Sequence, residues 1–205
     1  MKKRMIGIFL CTLIMITAVG CSSFSVSTNS VGKDNTTAKK MATVINEEIA
    51  DSKRSADYTL YGIEMSMDAE GNGKAHLIYT KVLPENLKYS DIRIVTVDTR
   101  TGKVDSVKNA DFSLYGTTPY ETIINGAPLQ IESWKQDSGA ALSAAQNTFS
   151  AEENFVYNYA QISAAVTDGI EQYKITFVSL VNHLQYISYV DGMTGTVLKK
   201  EIVAL

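Results

Sequence analysis

The chain has 205 residues, of which 45% are hydrophobic and 20% charged, with 13 Gly, 3 Pro and 2 Cys. This is the composition of an ordinary folded protein, and it excludes the disordered, collagen-like and disulfide-stapled classes. The formal net charge is −3, and an acidic chain of this kind is not expected to bind nucleic acid. The length allows one domain or two small domains, each able to bury a core.

The first twenty residues have the layout of a secretory signal peptide. Lys2, Lys3 and Arg4 form a basic start, and an apolar run without charges occupies residues 5–19. A run of about 15 residues is short for a transmembrane helix, which needs about 20. We expect residues 1–20 to be removed, and the net charge then becomes about −6, because three of the 19 basic residues leave with them.

The end of this segment reads Ala18-Val19-Gly20-Cys21. It resembles the lipobox of bacterial lipoproteins, in which small residues precede an invariant cysteine, although Ala18 stands where the family usually has Leu. The resemblance implies cleavage between Gly20 and Cys21 and a diacylglyceryl thioether on Cys21, and two acyl chains anchor a protein stably in a bilayer. The expected location is the extracytoplasmic face of a bacterial cell membrane. The alternatives are an uncleaved N-terminal anchor helix and a soluble secreted protein.

Residues 21–37 are rich in Ser, Thr and Asn and poor in large apolar side chains, which predicts a flexible tether. The only cysteine besides Cys21 is Cys11, which lies in the apolar run. The mature chain then holds no free thiol, so disulfides, thiol catalysis and a cysteine-ligated metal are not expected.

A first structural unit is predicted over residues 38–108. It opens with an amphipathic helix, because apolar residues recur at helical spacing, at Ala38, Met41, Ala42, Ile45 and Ile49. Three segments follow: strand 58–67, a polar turn at residues 68–73, and strand 74–82. The unit ends in a strand, turn and strand over residues 94–104.

Residues 109–130 are predicted to form a connector, because they hold the turn-forming pairs around Gly116, Pro119, Gly126 and Pro128. A second unit follows over residues 131–205. Asp137 is the expected N-cap of its helix, and the inward positions of that helix are Ala141, Leu142, Ala145 and Phe149. Predicted strands at 155–166 and 173–180 follow, and a strand, turn and strand over residues 187–197 completes the unit.

The two units share a sequence echo. Residues 94–104 match residues 187–197 at a constant offset of 93, and both contain Asp-x-x-Thr-Gly between apolar strands. Gly supplies a positive φ, and Asp and Thr bond the local backbone, so the predicted turn residues are Asp98, Thr101, Gly102, Asp191, Thr194 and Gly195. The predicted fold class is α+β, with two repeated units, each of one helix packed on a small antiparallel β-sheet.

The second unit resembles the PepSY domain of bacterial envelope proteins and protease propeptides. The resemblance lies in Trp134, Asp137-Ser138, Ala141-Leu142, Ala145 and the run from Tyr189 to Leu198. The first unit resembles it less, because its helix lacks the Asp-Ser start. PepSY domains are regarded as inhibitory or binding modules without catalytic residues, so the resemblance implies binding rather than a reaction.

No enzyme signature, metal site or cofactor is predicted. The only histidines, His76 and His183, have no second His or Cys at metal-ligand spacing, and surface or structural roles are favoured over a catalytic one. The loop at residues 68–73 has oxygens at calcium-loop positions, but Tyr79 stands where the bidentate Glu is required, so a hairpin turn is favoured. Asp98 and Asp191 are likewise interpreted as turn caps rather than ligands.

Tyrosine is abundant, with eleven residues, and it is enriched at protein interfaces. Tyr115 and Tyr120 lie outside predicted strands and are the candidate protein interface; the alternative is that the tyrosines simply border the sheets. The preferred hypothesis is a lipid-anchored, non-catalytic module that binds an envelope protein and regulates a secreted peptidase or cell-wall hydrolase. The alternatives are a lipoprotein that binds a small molecule or lipid, and an enzyme.

Overall fold

The computed structural model describes residues 24–52, 55–110 and 118–205. These residues form nine β-strands and three α-helices. The strands are β1 Thr59–Asp68, β2 Gly73–Thr80, β3 Arg93–Asp98, β4 Val104–Asn109, β5 Gly126–Ala127, β6 Tyr159–Thr167, β7 Ile170–Ser179, β8 Leu184–Asp191 and β9 Val197–Ala204. The helices are α1 Ala38–Asp51, α2 Thr118–Ile124 and α3 Ser138–Phe149.

All nine strands belong to one antiparallel sheet in the order β4-β3-β2-β1-β6-β7-β8-β9, with the short β5 beside the end of β6. The predicted fold class of two units with separate small sheets is therefore wrong. The two halves are joined by the pairing of β1 with β6, which runs from Ile63 opposite Ala164 to Asp68 opposite Tyr159. In separate sheets both strands would expose unpaired backbone groups along an edge, and their pairing satisfies those groups.

The strand order in the first half of the sheet mirrors the order in the second half about the β1–β6 pair. The two echoed turns consequently lie at opposite ends of the sheet. The turn after Asp98 lies at the end where β1 finishes, and the turn after Asp191 lies at the end where β1 begins. Residues 109–130, the predicted connector, contain α2 and β5.

Helices α1 and α3 pack on the same face of the sheet. The five apolar positions predicted for α1 are all buried, which confirms its inward stripe. They join a core built from alternate strand residues of that face, including Ile63, Leu77, Val95, Ile162, Ile175 and Phe177. Because strand side chains alternate between faces, the residues between these positions point to the other side.

The starts of α1 and α3 meet and share one capping carboxylate. Asp137 accepts a hydrogen bond from the N–H of Ser138 (2.6 Å), which confirms its predicted role as the N-cap of α3. The same Oδ1 also accepts from the N–H of Lys39 in α1 (3.0 Å), and Oδ2 accepts from the hydroxyl of Thr37. The hydroxyl of Ser138 accepts from the N–H of Ala38 (2.9 Å). The unpaired N–H groups of both helices are thus satisfied together.

Residues 24–31, within the segment predicted to be a flexible tether, pack along the sheet. Phe24 is 9% exposed, and its ring lies 4.7 Å from that of Tyr58 and 5.6 Å from that of Tyr79. At the other end of the sheet, the N–H of Val31 donates to the carbonyl of Gly102 (2.8 Å). This part of the predicted tether is therefore held against the core, and two residues separate Phe24 from Cys21.

The described residues cover only part of the opposite face of the sheet. Near the start of β1, α2 and residues 82–92 pack on this face. A second apolar cluster forms there, and it consists of Tyr61, Ile78, Leu87, Ile92, Ile94, Ala110 and Ile123. Helix α2 approaches so closely that a Cβ on Gly62 would lie 2.5 Å from the side chain of Thr122. Among the described residues, no helix is both long and apolar enough to span a bilayer.

Candidate functional site

A polar groove lies on the part of this face that α2 leaves uncovered. Four adjacent strands, β2, β1, β6 and β7, form its floor, and its volume is about 360 Å³. Its side chains alternate along the strands with those of the core beneath them. We call the following residues the polar groove: Glu64, Ser66, His76, Gln161, Ser163, Lys174 and Thr176.

The register of the sheet sets the central row of the groove. His76 lies opposite Glu64, Glu64 lies opposite Ser163, and Ser163 lies opposite Lys174. Neighbouring strands are about 4.8 Å apart, so this row spans roughly 14 Å. It places an imidazole, a carboxyl group, a hydroxyl and an ammonium group side by side across the sheet.

Glu64 is the acidic residue of the polar groove, and its carboxyl group is largely buried. Burial raises its pKa from 4.5 to about 7, because the low-dielectric surroundings disfavour the charged carboxylate. Among the described residues no ion pair reaches its carboxyl group, which would offset that effect. Near neutral pH, the carboxyl group of Glu64 can donate a hydrogen bond when it is protonated, and it can only accept hydrogen bonds when it is ionised.

His76, opposite Glu64, is held on its other side by the next strand. Its Nδ1 lies 3.1 Å from the hydroxyl of Thr96 on β3. Burial lowers the pKa of His76 below 6.5, and the nearby ammonium group of Lys74 lowers it further. Lys74 itself pairs with Asp98 (3.2 Å) and with Asp105. The neutral imidazole consequently adds hydrogen-bonding capacity to the groove without adding charge.

A second depression of about 250 Å³ continues the groove across the sheet. It shares Ser163 and Lys174 with the first, and it ends at Tyr189 on β8. The ammonium group of Lys199 lies over the ring of Tyr189, 5.5 Å from the ring centroid. The combined surface thus presents hydroxyl, amide, acidic and basic groups, and it ends at an aromatic ring.

The side chains of this surface are hydrogen-bond donors, hydrogen-bond acceptors and single charged groups. Within the described ranges, no cluster of three or more His, Cys, Asp or Glu residues could hold a metal ion. The imidazole of His76 contacts the hydroxyl of Thr96, which lies on β3 beside the central row. Hydrogen bonds and single charges, spaced at strand intervals, are what the groove offers to a ligand.

Of the residues singled out from the sequence, His76 lines the polar groove. Gly20, Cys21 and Tyr115 are outside the described residues, and so is the side chain of Tyr120, whose backbone belongs to α2. His183 has a positive φ of 53° in the turn between β7 and β8. The prediction that Tyr115 and Tyr120 form an interface therefore stays a prediction.

Both echoed turns are closed by their aspartates. Asp98 accepts hydrogen bonds from the N–H of Thr101 (2.9 Å) and from its hydroxyl (2.8 Å), and these bonds lower the pKa of Asp98 to about 2. Asp191 accepts in the same way from Thr194, which lowers its pKa as well. Gly102 and Gly195 have positive φ values of 70° and 76°. These carboxylates are occupied by their own turns.

At residues 68–73, Asp68 closes a hairpin turn and caps its backbone. Its Oδ1 accepts from the N–H of Asn72 (2.8 Å) and of Glu70 (3.1 Å). The side-chain amide of Asn72 also donates to the same carboxylate (3.1 Å to Oδ2). The oxygens that were compared with a calcium loop are therefore used to hold the turn.

The polar groove itself was missed from the sequence. A signal was present, because Glu64 and Ser66 alternate with Ile63 and Met65 along β1. The same alternation occurs in β6 and β7. Alternation shows that each strand has a polar face, but it does not show which strands lie side by side. The groove depends on the pairing of β1 with β6, which joins distant parts of the chain.

Comparison with known proteins identifies a shared fold. The chain is similar to the crystal structure of a "putative lipoprotein (CD1622)" from Clostridium difficile 630, with 16% sequence identity and a TM-score of 0.50. The match covers 78% of this chain and 91% of that one. No protein-family model and no curated protein matches the chain. At this identity the similarity shows the fold alone.

Proposed function

We propose that the chain is a lipoprotein, anchored by Cys21 to the outer face of a bacterial cell membrane, and that it is a non-catalytic module that binds an envelope protein through its polar groove. The observation that carries the proposal is the uncovered row of His76, Glu64, Ser163 and Lys174 across the centre of the sheet. The rest of that face near α2 is closed by apolar packing, whereas this row stays open to a partner.

Two further observations support the anchor. The sequence around Cys21 resembles a lipobox, and the fold is shared with the Clostridium difficile protein named above. The resemblance of the second unit to PepSY domains supports the class of partner, a secreted peptidase or cell-wall hydrolase that the module restrains. The groove suits an extended polypeptide, because its alternating donors and acceptors repeat at strand spacing.

The test is a site-specific crosslink from the full-length lipoprotein in its native membrane. A photo-crosslinking amino acid replaces Gln161, an exposed residue of the groove, and in a matched control it replaces Glu47, an exposed residue of α1. We expect one envelope protein to be crosslinked from position 161 and not from position 47. The combined substitution Glu64→Ala and Lys174→Ala should abolish that product. Equal products from both positions would overturn the proposal.

A second candidate is the binding of a small polar ligand in the same groove. Its volume of about 360 Å³ lies within the usual range of small-molecule sites, and the burial of Glu64 is typical of such sites. This function predicts that a small-molecule extract of the envelope raises the Tm of the wild type and not that of Glu64→Ala. Absence of any shift, together with a protein crosslink from position 161, decides for the first function.

A further inference from the structure

The N-terminal segment is fastened to the fold at the point where the chain emerges from its proposed anchor. Phe24 packs between Tyr58 and Tyr79 and is 9% exposed. The next residue is locked by two hydrogen bonds, because the N–H of Ser25 donates to the hydroxyl of Ser55 (2.9 Å) and that hydroxyl donates to the carbonyl of Ser25 (3.1 Å). The position of residue 24 is therefore set by the core.

Covalent geometry then limits how far the anchor can lie from the domain. Cys21 and Phe24 are three residues apart. Consecutive Cα atoms are 3.8 Å apart, so the Cα atoms of these two residues are separated by at most about 11 Å. That distance is shorter than the strands, since the ten residues of β1 span roughly 33 Å. An anchor this short brings one end of the sheet to the membrane.

That end carries two basic side chains beside Phe24. The ammonium group of Lys81 lies 5.6 Å from the ring centroid of Tyr58, and the guanidinium group of Arg93 lies 5.7 Å from it. Arg93 also donates to the carbonyl of Ser90 (2.5 Å). Asp57, next to Tyr58, is exposed at the same end. The tyrosine ring holds both cations close to the path of the anchor.

We propose that this corner of the domain, defined by Phe24, Tyr58, Lys81 and Arg93, rests against the lipid headgroups, with its two cations facing the lipid phosphates. The inference rests on the proposed lipidation of Cys21. Its occupant is the bilayer rather than a protein, because the anchor enters the membrane within about 11 Å of Phe24. The turn between β7 and β8, with Leu180 and Val181, lies at the opposite end of the sheet and points away from the membrane.

The test measures the distance of two positions from the bilayer in the intact lipoprotein. The mature chain has no cysteine other than the alkylated Cys21, so a single introduced cysteine takes a fluorescent label. Lys81→Cys labels the corner, and Val181→Cys, at a residue 73% exposed, labels the opposite end as a matched control. The protein is placed in phosphatidylcholine–phosphatidylglycerol vesicles that contain a lipid with a spin-labelled headgroup. We expect several-fold stronger quenching at position 81 than at position 181.

A spacer variant isolates the role of the short connection. A spacer of about 20 Gly and Ser residues between Ser23 and Phe24 has a root-mean-square reach of about 25 Å. It should lower the quenching at position 81 toward the value at position 181. Equal quenching at the two positions with the native spacing would overturn the proposal, and so would undiminished quenching at position 81 with the spacer.

The result is separable from a failure of the proposed function. Flotation of the protein with the vesicles and the mass of its N-terminal peptide report lipidation directly. A protein that neither floats nor carries the added mass has no anchor at Cys21, and both proposals then fail. A protein that floats but shows equal quenching keeps its anchor, and the orientation alone is overturned.

Discussion

Asp137, the N-cap of α3, accepts a hydrogen bond from the N–H of Lys39 at the start of α1, at 3.0 Å. The two residues are 98 positions apart, and the carboxylate that caps one helix thus caps a second. The unpaired N–H groups at the start of a helix favour a negative charge. Here one charge serves two helices, and the bond ties α1 to α3 on the same face of the sheet.

This sharing predicts that Asp137→Ala is more destabilising than the loss of an ordinary cap. One cap contributes about 1 kcal/mol, and loss of the bonds to both helices should lower the free energy of unfolding by roughly 2–3 kcal/mol. Asp137→Asn keeps an acceptor oxygen and should recover part of the loss. Urea denaturation monitored by the fluorescence of Trp134, the only tryptophan, measures both variants. A loss equal to that of a single cap would contradict the shared role.

Gly192, just after β8, is predicted to tolerate no side chain. A Cβ there would lie 2.4 Å from Cε3 of the fully buried Trp134, and overpacking of this kind costs about 1–3 kcal/mol. Gly139 in α3 provides the matched control, because a Cβ there would meet only the side chain of Thr37, at 4.0 Å. Gly139→Ala should leave stability unchanged or raise it by up to about 1 kcal/mol. If Gly192→Ala proved as stable as Gly139→Ala, the close contact of Gly192 with the ring of Trp134 would be contradicted.

Glu64 should make stability fall as the pH rises. Its pKa is about 7 in the folded protein against 4.5 for an exposed group, so the unfolded chain ionises first. The folded state therefore loses stability between about pH 4.5 and pH 7, and the loss is constant at higher pH. Glu64→Gln removes this loss and should be more stable than the wild type at pH 8 by on the order of 3 kcal/mol, since one pKa unit corresponds to about 1.4 kcal/mol.

The measurement for Glu64 is the difference in unfolding free energy between wild type and Glu64→Gln at each pH. This difference separates Glu64 from His76, whose lowered pKa acts in the opposite sense by favouring the fold as the pH rises through 6.5. Glu47→Gln, on the exposed surface of α1, is the matched surface control. A difference for Glu64→Gln that does not change between pH 4 and pH 8 would contradict the burial of its carboxyl group.

Phe24→Ala should behave as a core substitution. Removal of a buried phenylalanine side chain costs about 3–5 kcal/mol, whereas the same change in a flexible tether costs nothing. The neighbouring Ser25 is exposed, and Ser25→Ala should leave the unfolding free energy unchanged because the backbone of Ser25 makes its bonds to Ser55. Thermal unfolding of both variants decides between the two descriptions of this segment. Equal Tm values for the two variants would indicate a tether.

Several local features followed from the sequence. The apolar stripe of α1 and the cap at Asp137 were predicted from helical spacing and side-chain chemistry, and the structure has them. Both depend on interactions between residues close in the chain. The segment around Phe24 was misjudged for a related reason. The composition of this segment is polar, which is typical of a tether. The segment is nevertheless held against the core, because the ring of Phe24 packs against Tyr58, 34 residues away.

Helices α1 and α3, the cap at Asp137 and most of the strands of this protein could be predicted from short stretches of its sequence. Their assembly could not be predicted in this way, because the two predicted sheets are one sheet through the pairing of β1 with β6. Glu64 and Ser163, neighbours in the polar groove, are joined by that pairing alone. Local propensity and alternation act over a few residues, whereas backbone pairing between distant strands is set by the burial of the whole sheet.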